Sequence, residues 1–175
     1  MNRLSVALSV ALLGIAGTCA LRADDAKVDA ESKFLKEAAS GGMLEVKLGE
    51  LAVQQAQNPE VRRFGQRMVT DHTKACKELT SLADKNGITL SKTLNSKHEA
   101  VLTKFKDMKG ADFDRAYMAN MVKDHEEDVA DFTKESKNAQ SDQVRDFATK
   151  TLPTLQEHLR LARTVAAKVG APESR

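Results

Sequence analysis

The sequence predicts an all-α protein, a bundle of four long amphipathic helices. Three observations carry that reading. Apolar residues recur at three- and four-residue spacing over long stretches, and no alternating run marks a strand. Ala, Leu, Val, Lys, Glu and Gln dominate, while aromatic residues make up only 4% and tryptophan is absent. Helix-boundary signals punctuate the chain at Asn58-Pro59, Asn86-Gly87, Gly110 and Gly170.

Residues 1–23 read as a signal peptide. Arg3 supplies the positive charge, and Leu4 to Ala16 is an apolar run too short for a stable membrane span. Cleavage after Ala23 leaves an acidic start at Asp24 and a single helical domain over 24–175; cleavage after Ala20 is nearly equivalent. Lipoprotein anchoring through Cys19 is the second choice, because Thr18 stands where a lipidation signal usually has Gly, Ala or Ser. Export to a bacterial periplasm is the simplest destination. No transmembrane span is expected in the mature chain. The formal charge is +2. Arg3 and Arg22 leave with the leader and no acid precedes Asp24, so the mature chain is close to neutral. That excludes a nucleic-acid partner held by bulk charge. With Cys19 removed, Cys76 stands alone, and stability rests on the core rather than on a disulfide.

The first helix is expected from about Asp29 to Gln57, with Phe34, Ala38, Gly41/Gly42, Glu45, Leu48 and Ala52 on its inner stripe. The glycine pair marks close approach to a neighbouring helix. Asn58 can cap the second helix, with Pro59 at its first position and Glu60 suited to its dipole. Its stripe is Val61, Phe64, Met68, His72, Cys76 and Leu79, and it stops at Asn86-Gly87. A polar connection, 88–95, leads to a short helix whose Ser96 and Glu99 have capping-box spacing. Gly110 ends that helix, and Asp112 can cap the third long helix, from about Phe113 to Lys137. Phe113, Tyr117, Met121, His125, Val129 and Phe132 form its stripe. Ser141 caps the last long helix, through Val169, whose stripe includes Phe147, Leu155, His158, Ala162 and Val165. Pro153 either kinks this helix or divides it. Up-down-up-down packing is the economical arrangement. The result is a ferritin-like four-helix bundle in outline, with the short helix in the crossover between the second and third long helices.

Glu45, His72, His125 and His158 each fall on the inward stripe of a different long helix. A buried polar group costs free energy unless it is paired, so four at comparable depths are expected to meet. An acid precedes each histidine: Asp71, Asp124 and Glu157. Neighbours in sequence point about 100° apart on a helix, so each acid would orient a histidine of the adjacent helix. These features make Glu45, His72, His125 and His158 candidate metal ligands. Met68, Met121 and Cys76 are optional soft ligands at helical spacing. Thioether, thiolate and imidazole suit copper; imidazole with carboxylate suits zinc or iron. A polar core network without metal would use the same residues, and methionine at this spacing is also ordinary core filler.

A ferritin-type di-iron centre needs Glu-x-x-His on two helices. Here Val69 precedes His72 by three and Leu155 precedes His158, so ferroxidase chemistry is disfavoured. No Gly-rich phosphate loop, paired-cysteine zinc pattern or nucleophile elbow is present. Phe64-x3-Met68-Val69-x-Asp71-His72 has an echo in Tyr117-x3-Met121-Val122-x-Asp124-His125. That echo is short, and it equates the second and third long helices.

The leader, Ala38-Ala39-x3-Met43-x-Glu45-Val46-x-Leu48-Gly49, the two Met-Val-x-Asp-His segments, Asp112-Phe113-Asp114-x2-Tyr117 and Leu152-Pro153-x-Leu155-x2-His158 resemble the domain of unknown function 4142 family. The resemblance covers nearly all of the mature chain. It implies export and a ferritin-like helical domain, with no established activity. The outer-membrane label often given to that family finds no support in the strand pattern, since a membrane barrel needs alternating strands. Two readings therefore stand: a metal-binding bundle, and a structural or envelope-stress interaction module whose buried histidines only fix helix register. An enzyme ranks third. The protein partner and oligomeric state are not legible.

Overall fold

The structure is a computed structural model that describes residues 19–172, with side chains from residue 29 onward. Most of the expected leader, residues 1–18, lies outside it. Five helices follow in order: α1 (Cys19–Gln55), α2 (Pro59–Lys85), α3 (Ser96–Phe105), α4 (Gly110–Asn138) and α5 (Asp142–Val169). Among the described residues no helix is long and apolar enough to cross a membrane.

Local chemistry sets most of the boundaries. Asn58 accepts from Glu60 N at 2.8 Å with Pro59 at the first position, and Ser141 caps α5 through Val144 N. Each such cap is worth about 1 kcal/mol. Gly87 and Gly170 close α2 and α5 with φ of 67° and 65°, a backbone that costs glycine little. Four expectations shift. α1 starts ten residues before Asp29, because Leu21 to Lys27 contains no helix breaker. The cap of α3 is Asn95, which accepts from His98 N at 2.9 Å, rather than Ser96. Asp112 lies inside the first turn of α4 and pairs with Arg115; the helix begins at Gly110 without a side-chain cap. α5 runs unbroken through Pro153.

Hydrogen bonds at the turns fix the topology. Asp114, early in α4, accepts from Gln57 N and Asn58 N at the α1–α2 turn, at 3.1 and 2.8 Å. Glu31, early in α1, accepts from Gln140 N and Ser141 N at the α4–α5 turn. Lys168, late in α5, reaches Glu60 at the start of α2. α2 and α4 therefore start at the same end and run parallel, as do α1 and α5. This corrects the up-down-up-down order. The connection from Asn86 to Lys109, carrying α3, returns along the bundle and lies against α1 through Asn95 N to Ser40 Oγ and Gln55 Nε2 to Lys106 O, both 3.0 Å.

The two turns are built alike. Arg62 donates to Ala56 O and Gln57 O; Arg145 donates to Ala139 O and Gln140 O. This exposes an internal repeat. Ala56-Gln57-Asn58, Val61, Arg62, Phe64 and Gly87 recur as Ala139-Gln140-Ser141, Val144, Arg145, Phe147 and Gly170, at a constant spacing of 83 (56 to 139, 87 to 170). Glu31 and Asp114 obey the same spacing. The repeat equates α1 with α4 and α2 with α5, and replaces the shorter echo as the internal symmetry of the fold.

The buried apolar residues form two clusters. One gathers Leu48, Met68, Phe113, Tyr117 and Met121; the other gathers Leu35, Leu79, Phe132, Phe147 and Leu155. On every long helix, the polar residue of the inner stripe falls between the two. α1 and α2 approach closely at Gly49 and Gly65, where a Cβ on Gly65 would sit 2.6 Å from Ala52 Cβ and one on Gly49 2.7 Å from Gly65 O. Of the glycine pair, Gly42 abuts Cys76 Sγ, while Gly41 has room.

Candidate metal centre

The four expected residues meet. Glu45, His72, His125 and His158 are 3%, 6%, 0% and 1% exposed, and they form one layer across the bundle. One nitrogen from each of the three histidines lies within 4.8 Å of the others. Such proximity follows from the chain: each residue sits mid-stripe on its own long helix, and the helices pack with those levels aligned.

The hydrogen-bond acceptors around the rings decide their tautomers. His72 Nδ1 is 2.8 Å from Glu45 Oε2, and His158 Nε2 is 2.8 Å from Asp71 Oδ2. His125 Nδ1 is 2.9 Å from Met121 O. A carbonyl or carboxylate only accepts, so each of these nitrogens carries the proton. The other three, His72 Nε2, His125 Nε2 and His158 Nδ1, are then bare lone pairs when the rings are neutral. His125 Nε2 and His158 Nδ1 face each other at 3.4 Å, and His72 Nε2 is buried with no hydrogen-bond partner. Glu45 Oε1 lies 3.3 Å from His125 Nε2 yet makes no aligned hydrogen bond.

Electrostatics agree with neutral rings at two positions. Burial pushes the His158 pKa down to about 4, against the pull of Asp71 and with help from His72 and His125. Burial also lowers His125, opposed by Glu45. Burial acts on His72 in the same sense, but Glu45 outweighs it and raises that ring above its ordinary value. Burial would raise Glu45; the His72 and His125 rings overcome it and hold the carboxyl at about 2. Asp71 is likewise lowered, burial being outweighed by the bond from His158.

The remaining candidates are placed as follows. Asp71 of α2 reaches across to His158 of α5. Asp124 instead accepts from Asn120 Nδ2 at 2.6 Å, and Glu157 pairs with Arg160 on the surface. Met68 and Met121 are fully buried within the apolar cluster beside the layer. Cys76 is half-buried on the α1 side, and burial raises its thiol pKa. Two features escaped the sequence reading. The Met121 carbonyl orients His125, and no side-chain pattern announces a backbone acceptor. Asp128 lines a small space beside Glu45 and His72; the repeat could have found it, since Asp128 stands 83 residues after Glu45. The Tyr117 hydroxyl is buried without a partner.

Comparison with known proteins gives a family and a fold. The family described as Domain of unknown function (DUF4142) matches residues 17–165. No curated protein matches the chain. Among solved structures, one named as a secreted DUF305 protein from Streptomyces coelicolor superposes with a TM-score of 0.70 at 14% identity, covering 83% of this chain and 97% of its own. A DUF305 fragment from Deinococcus radiodurans superposes with a TM-score of 0.69, also at 14% identity, covering 79% and 95%. At that identity the likeness speaks for the helical-bundle fold alone.

Proposed function

The chain belongs to the family described as Domain of unknown function (DUF4142), and for it we propose an exported helical bundle that binds one divalent transition-metal ion through His72, His125 and His158. One observation carries the reading: His125 Nε2 and His158 Nδ1 face each other at 3.4 Å, and because the second nitrogen of each ring donates to an oxygen, neutral rings turn two lone pairs toward each other there. Two nitrogens bound at about 2.05 Å to a tetrahedral ion lie about 3.3 Å apart. A cation between them turns a repulsion into two bonds.

The surroundings support a dication. Glu45 and Asp71 are both held anionic, so two carboxylate charges would offset the ion in a buried layer. Every ring has its other N–H on an oxygen acceptor, the arrangement that fixes and strengthens imidazole ligands. Glu45 holds His72 with one oxygen and presents Oε1 to the layer, ready as a fourth ligand or as a charge partner. Nitrogen donors with carboxylate support favour zinc; copper and iron are the competitors. The role would be sequestration of the ion in the periplasm. Export is supported by the leader-like residues 1–23 and by a fold neighbour named as secreted. The ferritin-like outline of the bundle belongs to the same proposal.

The test is elemental analysis of the mature protein, expressed from Asp24 without a His tag, followed by thermal melts with zinc, copper, iron and manganese. One equivalent of an ion that raises the melting temperature of the parent, and not of His72→Ala/His125→Ala, is the expected result. Absence of any stoichiometric ion would leave the histidines as a structural network.

A further inference from the structure

One face of the bundle opens toward this layer. Between α1, α3 and α4 lies a cleft of about 660 Å³. Glu37, Asp124, Glu127, Asp128 and Asp131 line it, and Glu45 forms part of its inner wall. Two of the basic groups around it are already paired: Lys97 with Glu127 at 3.7 Å and Lys134 with Glu135 at 3.3 Å. Lys33 and His98 also border it. Behind the cleft is a much smaller void, about 30 Å³, bordered by His72, Cys76 and again Glu45 and Asp128. Those two carboxylates thus stand between the open cleft and the space at His72. They occupy equivalent positions in the two repeats.

Two further observations point to a cation. Glu45 is 3% exposed, and its Oε1 has no hydrogen-bond partner. Asp128 makes no hydrogen bond or ion pair with any described residue. Two carboxylates that repel across a passage are relieved by a cation moving through it.

We propose that this acidic cleft is the path by which a hydrated divalent cation reaches the three imidazoles, drawn in by Asp131 at the mouth and passed inward between Asp128 and Glu45. The inference rests on the metal-binding reading above. A cleft lined by one sign of charge with low-dielectric walls concentrates counter-ions and speeds association by tenfold or more at low salt. The acids of the cleft act on the rate of arrival; the nitrogens act on retention.

Stopped-flow binding of Co2+ to the chelated mature protein separates the two, because nitrogen-ligated cobalt absorbs in the visible. Asp128→Asn is expected to lower the association rate constant about three- to tenfold at low ionic strength and to flatten its salt dependence. The dissociation rate constant and the cobalt spectrum stay as in the parent. Glu78→Gln, the same loss of charge on the exposed side of α2, leaves the association rate unchanged. Asp131→Asn, exposed at the mouth, lowers it about twofold and decides the matter if Asp128→Asn melts early. An association rate equal to the parent's in both variants overturns the path. So does faster dissociation at unchanged association in Asp128→Asn, which would make Asp128 a holder of the ion. A parent that shows no saturable cobalt spectrum removes the metal site itself, a result distinct from either.

Discussion

Asp71 on α2 and His158 on α5 meet at 2.8 Å across the bundle, the acid accepting from Nε2 and leaving Nδ1 bare toward His125. Asp71 is about a third exposed while His158 is buried, so the acid orients the ring from the rim of the layer.

Removing that acceptor should release the ring without emptying a cavity. Asp71→Asn is expected to weaken metal binding about 10- to 100-fold and to leave the helical far-UV spectrum intact. Competition against a chelator of known affinity measures it. Unchanged affinity would mean His158 is held by packing alone.

Metal should stabilise the folded chain by mass action. At one hundred times Kd the gain is about 2.7 kcal/mol, or about 5–10 °C in a domain of this size. His72→Ala/His125→Ala loses the gain. It also strands the Glu45 carboxylate, so the metal-free variant should unfold about 3–5 kcal/mol more easily. Denaturant titration with and without chelator separates the two losses.

Acidity acts on Asp124 in a definite sense. Burial and the charge of Glu45 raise its carboxyl to about 7. The folded chain keeps this proton after the unfolded chain has released it, so metal-free stability falls as pH climbs from about 4 through about 7. Asp124→Asn lacks that group. Its advantage over the parent in chelated melts should grow across that window and level above it; a flat difference would refute the shift. His158 works oppositely, its lowered pKa costing stability as pH falls from about 6.5 to about 4.

The α1–α2 seam is closely packed at its glycines. Gly65→Ala puts a methyl 2.6 Å from Ala52 Cβ and 2.9 Å from Gly49 O. Overpacking of this kind costs about 1–3 kcal/mol. Gly42→Ala meets the softer Cys76 Sγ at 2.8 Å. Cys76→Ser, and more so Cys76→Ala, should restore most of that loss, which a double-mutant cycle in urea would show.

Helix number, most boundaries and the meeting of Glu45 with three histidines were legible because periodicity and capping are local signals. The direction of α4 was not. It depends on whether the Asn86–Lys109 connection doubles back, and that is settled by distant bonds such as Asp114 to Asn58. Asp124 and Asp71 occupy the same place relative to their histidines, yet only Asp71 reaches a ring. Their helices turn different flanks toward α5, and sequence spacing carries no such rotation. The register of 83 is harder to read than the short Met-Val-x-Asp-His echo, because its matches are spread thinly over turns and core.

That register bears on the number three. Two identical hairpins related by a dyad present ligands in pairs, so an odd set demands that the copies diverge. They have: His125 stands where the first hairpin has Gly42, His158 where it has Ala75, and His72 where the second has Leu155. One carboxylate pair stayed matched, Glu45 with Asp128. Symmetry was kept in the scaffold and in that one pair, and given up at the imidazoles and at Asp71, which has Thr154 opposite it.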